Sequence, residues 1–133
     1  MRFWHASARG AGQLIHSFSI YFRSHALFNS LQLAKSEAGF SATVVDTDES
    51  QLPDGDVLAQ VEYSSLNYKD GLAITNKGPV VRNWPMVAGI DGAGTVLEST
   101  HAGWKAGDKF VHNGWGLGET RWGLMAERAA ARR

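Results

Sequence analysis

The chain contains no cysteine among its 133 residues. That absence excludes disulfides, thiolate nucleophiles and every zinc site built on cysteine ligands. The five histidines, at positions 5, 16, 25, 101 and 112, show no close metal-ligand spacing, so no metal site is expected. Excess charge is missing too. Thirteen Lys and Arg balance thirteen Asp and Glu, for a formal net charge of zero. This argues against a nucleic-acid or membrane-surface binder that works by electrostatics. No apolar run approaches the roughly 20 residues that a bilayer-crossing helix needs. Acidic residues are wholly lacking before Glu37, which sets the start of the chain apart from the rest.

What is present suits one soluble domain of ordinary size. Apolar residues make up 44% of the chain, with five Trp and six Phe available for a core. Residues 1–27 interleave Arg2, Arg9 and Arg23 with Ser and small residues. That composition fits an organellar transit peptide, or translated sequence upstream of the true start. The stretch is expected to be disordered or to pack poorly, because its apolar positions follow no sustained period. From Phe28 onward the pattern is one of short strands. Segments 29–34 and 42–45 are strand-like, and Glu37-Ala38-Gly39-Phe40 reads as the turn between them. Leu52-Pro53-Asp54-Gly55-Asp56 is a sharp turn, since Pro presets φ, Asp bonds its own backbone and Gly accepts positive φ.

The next run carries the clearest strand signal. Val57, Ala59, Val61 and Tyr63 alternate with Leu58, Gln60, Glu62 and Ser64, the period of a half-buried strand. Asn67 then offers an N-cap for a short helix through Asp70, Leu72 and Ala73. Strands are expected again over 92–99 and after the Gly103–Gly107 turn, whereas Ala130-Ala131-Arg132-Arg133 does not resemble a strand. Many short strands at this spacing point to an antiparallel barrel or sandwich. Two glycine-rich runs, Gly89–Gly94 and Gly114–Gly118, invite comparison with a dinucleotide-binding loop. Neither precedes a helical pattern, so their glycines are expected to serve bulges and close backbone approach.

The run Ser64-Ser65-Leu66-Asn67-Tyr68-Lys69-Asp70, followed by Asn83-Trp84-Pro85-Met86-Val87-Ala88-Gly89-Ile90-Asp91-Gly92-Ala93-Gly94, resembles the GroES-like catalytic domain of the medium-chain dehydrogenase/reductase superfamily. Within it the similarity is to the zinc-free quinone oxidoreductase branch that includes the acrylyl-CoA reductases. Leu52–Val57 and Asn113–Glu119 fit the same subfamily, and the resemblance runs from about Phe28 to about Ala130. It departs from the family pattern at Ala88, where proline is usual, and at Leu124, where a second glycine is usual. The resemblance implies a mainly β (α+β) fold, a GroES-like partly open β-barrel with one or two short helices over 28–130. The Rossmann domain that follows in the family is absent from these 133 residues, and a truncated or frameshifted coding sequence would explain both that and the altered ending.

By resemblance, Asn67 and Tyr68 line the cleft that faces the nicotinamide of a bound NADPH. Asn67 is the expected cofactor-binding residue, since an amide both donates and accepts hydrogen bonds. Tyr68 is an expected catalytic residue, donating to a developing enolate oxygen or relaying a proton. Capping a helix and packing on the barrel are their alternative roles. Asp91, the other catalytic candidate, either bonds backbone N–H groups of a bulge or faces the cleft. Arg82 is the expected substrate-binding residue, gripping the phosphates or carbonyl of an acyl-CoA, or else it is a solvated loop arginine. Lys69 and Asp70 are adjacent on a helix, so one of them is expected to face solvent. The implied activity is NADPH-dependent hydride transfer to quinones or to enoyl thioesters such as acrylyl-CoA, with the isolated chain inactive. A non-catalytic GroES-like binding module, or one half of a split enzyme with a separate nucleotide-binding half, are the alternatives. Cytoplasmic location, self-association and no nucleic-acid or membrane partner complete the expectations.

Overall fold

The computed structural model describes residues 26–131. The expectation for residues 1–27 therefore falls, over residues 1–25, outside the described residues. Strand β1 (Leu27–Ser36) and strand β2 (Gly39–Asp48) form a hairpin around Glu37 and Ala38, in register from Leu27 opposite Asp48 to Ser36 opposite Gly39. Gly39 takes φ 112°, the left-handed region that makes so tight a reversal possible. Strand β3 (Val57–Ser64) follows the Pro53-Asp54-Gly55 segment, where no hydrogen-bonded turn forms and Gly55 does not take the positive φ expected of it, and leads into helix α1 (Tyr68–Ile74). Strands β4 (Met86–Val87), β5 (Asp91–Ser99), β6 (Lys109–Asn113) and β7 (Arg128–Ala131) complete the order. Among the described residues no helix is long and apolar enough to cross a membrane.

The strands make two antiparallel sheets, ordered β2-β1-β4 and β6-β5-β3-β7. Residues 125–127 stitch the two together. The Leu31 N–H donates to the Met125 carbonyl at 2.8 Å, the Glu127 N–H to the Asn29 carbonyl at 3.0 Å, and the Val61 N–H to the Glu127 carbonyl at 3.0 Å. One side of the barrel is thereby closed, while β2 and β6 lie at the outer ends of the sheet orders. The result is the mainly β, partly open architecture that the family resemblance implies.

Two further local expectations are corrected. Ala130 and Ala131 do form a strand, pairing opposite Leu58 and Val57. Alanine has little intrinsic strand preference, but an unpaired edge of β3 offers hydrogen bonds that outweigh it. Gly55 lets the β7 backbone come close, since an added Cβ there would stand 2.7 Å from the Ala131 carbonyl oxygen. Second, Tyr63 does not continue the inward face of Ala59 and Val61. The β3–β5 register steps from Val61 opposite Gly94 to Tyr63 opposite Ala93, so Glu62 is a bulged extra residue. A bulge rotates the following side chains to the other face, and Tyr63 is exposed as a result.

Leu33, Ala73, Val80, Met86 and Ala88 form the main core, against which Leu72, Ile74 and Trp84 pack. Helix α1 is thus pinned to the first sheet. A second cluster of Leu117, Leu124 and Ala129 packs with Val61 and Phe110 inside the other sheet. Leu124, which departs from the family's glycine, is buried here. The position that cannot accept a side chain is Gly123, where a Cβ would stand 2.2 Å from the Gly89 carbonyl oxygen. The glycines of 89–94 open β5 rather than a helix, and a Cβ on Gly94 would lie 2.0 Å from the Gln60 carbonyl oxygen. Close strand approach is their role, as expected.

Candidate active site

The site forms where β3 ends, α1 begins and β5 starts. Ser64 pairs with Gly92, which brings Ser65 beside Asp91. The Ser65 N–H donates to Asp91 Oδ1 at 3.1 Å, and the Ser65 hydroxyl reaches both carboxylate oxygens at 2.9 Å. Asn67, the N-cap of α1, donates from Nδ2 to Asp91 Oδ2 at 3.0 Å. These donors stabilise the charged carboxylate. The Asn67 amide is the largest influence, and with Ser65 it holds Asp91 below the ordinary carboxylate range against the opposing effect of burial. Asn67 and Asp91, expected from the sequence to share one site with Tyr68, meet in one hydrogen-bonded cluster.

Asp70 is the residue that sequence reasoning passed over. It is only 1% exposed, and it organises the cluster from beneath. Its Oδ2 accepts from the Asn67 N–H at 2.8 Å and from Asn67 Nδ2 at 3.2 Å, while Oδ1 accepts from the Ile90 N–H at 3.1 Å. It ties the first turn of α1 to the residue preceding Asp91. The sequence did carry a signal: Asn at the N-cap with an acid at the third helical position is the spacing of a capping box. Of the adjacent pair, Lys69 is the more exposed, and it pairs with Glu119.

Tyr68 stands on the solvent side of the same turn, 84% exposed. Arg82 is also exposed, and its N–H donates to the Glu119 carbonyl at 2.8 Å. Because the Glu119 carboxylate pairs with Lys69, Arg82 lies on the side of the domain where α1 begins. Asn67, Tyr68 and Asp91, expected from the sequence to line one partly open cleft, sit together on an open shelf at the start of α1. Neither the cavity of about 390 Å³ nor that of about 500 Å³ is lined by Asn67, Tyr68, Arg82 or Asp91. Beside the shelf the second sheet presents a short apolar row next to a charged one, in which Lys109 pairs with Glu62. Tyr63, Ala93 and Val111 stand in one row across β3, β5 and β6, with Asp91 opposite Asn113 at its end.

The shelf has limited capacity for a ligand. The Nδ2 hydrogens of Asn67 are committed to oxygens of Ser65, Asp70 and Asp91, so what remains for a ligand is the acceptor Oδ1. Among the described residues no three His, Asp or Glu side chains converge as metal ligands. Among them, too, no glycine-rich turn opens a helix onto which a dinucleotide pyrophosphate could dock.

Residues 53–131 match the alcohol dehydrogenase GroES-like domain. Over 99 residues the chain is 50% identical to the probable acrylyl-CoA reductase AcuI of Escherichia coli (strain K12), a match covering 74% of this chain and 31% of that protein. Over 108 residues it is 44% identical to the acrylyl-CoA reductase AcuI of Ruegeria pomeroyi, covering 80% and 33%. The structure superposes on the yhdH oxidoreductase of Salmonella enterica, solved in complex with NADP, with TM-score 0.75 and 48% identity over 78% of this chain and 32% of that one. The chain spans about a third of the length of the relatives it matches. It belongs to the alcohol dehydrogenase GroES-like domain family.

Proposed function

We propose that this domain is the substrate-side wall of an NADPH-dependent oxidoreductase that reduces quinones or enoyl thioesters such as acrylyl-CoA. The observation that carries the reading is the Ser65–Asn67–Asp91 cluster with the exposed Tyr68 beside it, on a domain whose relatives are oxidoreductases. When bound, NADPH supplies the hydride, and this chain supplies position and charge stabilisation. Asp91, ionised and bonded on both oxygens, fixes the Asn67 amide. It is a positioning residue in this scheme rather than a proton donor. Asn67 Oδ1 then accepts from a ribose hydroxyl or a carboxamide N–H. A phenol hydroxyl donates hydrogen bonds at neutral pH, so Tyr68 is suited to the carbonyl oxygen of the substrate as negative charge develops there. Arg82 anchors the substrate on the side of Glu119.

The same reading makes the 133-residue chain a weak binder of NADPH and a poor catalyst by itself. Most of the binding free energy of a dinucleotide comes from its pyrophosphate at a Rossmann helix N-terminus, which the described residues do not provide. The test is a graft. Residues 28–131 joined to the nucleotide-binding part of the Escherichia coli relative should oxidise NADPH when acrylyl-CoA or a quinone is added, and the chain alone should not. A graft that folds and binds NADPH but reduces neither substrate refutes the proposal. A chain that binds NADPH at micromolar concentration by itself refutes the claim of weak binding.

A further inference from the structure

We propose that the pocket at the far end of α1 binds the phosphorylated adenosine end of a coenzyme A thioester, an inference that rests on the function proposed above. This pocket of about 390 Å³ is lined by Lys35 from the end of β1, Asn76 and Lys77 from the turn after α1, and Pro79, Val81 and Trp84 from the following loop. Two lysines from separate elements line it and no carboxylate does, in a chain whose net charge is zero. Among the described residues neither lysine forms an ion pair with an acid. Lys35 Nζ lies 4.6 Å from the centroid of the Trp84 ring, a cation–π contact that holds the ammonium at the pocket wall. Phe40 packs edge-on against the same ring, with centroids 6.1 Å apart and planes at 83°, and so fixes its plane.

One effect opposes an anion there. The C-terminal carbonyls of a helix carry partial negative charge. Here they are already taken up: the Gly71 carbonyl accepts from the Thr75 N–H at 3.1 Å and its hydroxyl at 2.7 Å, and those of Ala73 and Leu72 accept from the N–H groups of Asn76 and Lys77 at 3.1 and 3.0 Å. The helix is also short, seven residues. The two ammonium groups therefore set the sign of the pocket. A lysine after a helix end has an ordinary role in offsetting the helix dipole, which accounts for Lys77. It does not account for Lys35, which arrives from another sheet strand.

The position suits coenzyme A. Helix α1 separates Tyr68 from the pocket by about 10 Å at 1.5 Å per residue. Arg82 adjoins Val81 in sequence and lies on the Glu119 side of α1. A thioester held at Tyr68 would run its pantetheine arm along α1 past Arg82, and its phosphates would arrive at Lys35 and Lys77. Trp84, Pro79 and Val81 add an apolar edge to a lining that is otherwise polar, against which one side of the adenine would rest. Inorganic phosphate cannot use that edge, and a quinone carries no negative charge to pair with the lysines.

Calorimetric titration of the 133-residue chain with coenzyme A, pantetheine and inorganic phosphate tests the proposal. Coenzyme A should bind, about tenfold or more tightly than either pantetheine or phosphate, and its affinity should fall with added salt. The double variant Lys35→Glu/Lys77→Glu should weaken coenzyme A binding by about tenfold or more while leaving the far-ultraviolet circular dichroism unchanged. No binding of coenzyme A, equal binding of inorganic phosphate, or indifference to the double substitution each overturns it. A graft that reduces quinones while its coenzyme A affinity ignores both lysines removes this site and leaves the proposed function standing. Lysine-dependent coenzyme A binding by a chain whose graft has no reductase activity does the reverse.

Discussion

Replacing Asp70 tests the architecture of the site at its base. Three hydrogen-bond donors converge on this one carboxylate: the Asn67 N–H, Asn67 Nδ2 and the Ile90 N–H. Asp70→Ala removes every acceptor and leaves two backbone N–H groups without their partner. A buried donor left unsatisfied costs about 1–3 kcal/mol. Asn67 and Ile90 are both partly accessible to water, so the lower half of the combined range applies, and the expected loss is about 3 kcal/mol. Asp70→Asn keeps one acceptor oxygen but turns an amide NH₂ towards a donor, with an expected loss of about 2 kcal/mol. For a domain of this size each kcal/mol lowers Tm by about 4–8 °C, so the alanine variant should melt well over 10 °C lower. Urea unfolding of the 133-residue chain, followed by tryptophan fluorescence, gives the free energies if the slope m is unchanged. A loss below about 0.5 kcal/mol for Asp70→Ala, the size of an ordinary surface change, would mean that Asp70 does not tie α1 to the start of β5.

Further predictions concern backbone space and pH. Gly94→Ala should abolish soluble folded protein, because its Cβ would stand 2.0 Å from the Gln60 carbonyl oxygen. Gly71→Ala should stabilise by about 0.5–1 kcal/mol, since it lies inside α1 with no atom near the added methyl. A melt in which both alanine variants behave alike contradicts that account of the glycines. Asp91 has a folded pKa below its unfolded value near ~3.9, so the stability it contributes is fully present above that pH and is lost as the pH falls through its folded pKa. Asp91→Asn should therefore flatten the acid limb of the stability profile below about pH 4, and an unchanged limb would show the carboxylate to be energetically idle. Burial first, then the Arg121 charge, lowers the pKa of His112. The unfolded chain takes up that proton first, so stability should drop as the pH falls below about 6.5. His112→Gln should remove that drop in circular-dichroism melts, and a drop that persists assigns it elsewhere.

The fold was legible because its signals are local. The alternation over Val57–Ser64 and an Asn at a strand end mark β3 and α1 without reference to the rest of the chain. The features that were not legible depend on partners distant in sequence. Tyr63 faces outward because of a bulge set by its pairing with β5, and period-two alternation cannot register an inserted residue. Ala130 and Ala131 are strand residues only because β3 presents an open edge to them. The site divides in the same way. Asn67 and Asp91 stood out as polar groups at strand and helix boundaries, but their contact through Nδ2 is a product of the β3–β5 register. Asp70 was hidden by the helical rule that separates neighbours, since the rule says that one of Lys69 and Asp70 is buried without saying which.

The central claim is that the shelf of Asn67, Tyr68 and Asp91 faces the reaction. The most direct measurement is the steady-state rate of NADPH oxidation by the graft of residues 28–131, with acrylyl-CoA as substrate, for the parent and for Tyr68→Phe. Tyr68 is exposed and its hydroxyl has no hydrogen bond within the domain to lose among the described residues, so stability and NADPH affinity should stay level. A hydrogen bond made to the substrate oxygen as its charge develops predicts a fall in kcat of about tenfold to a hundredfold with KM little changed. A graft that folds, turns over and shows the same kcat with phenylalanine at position 68 would contradict the role given to this shelf.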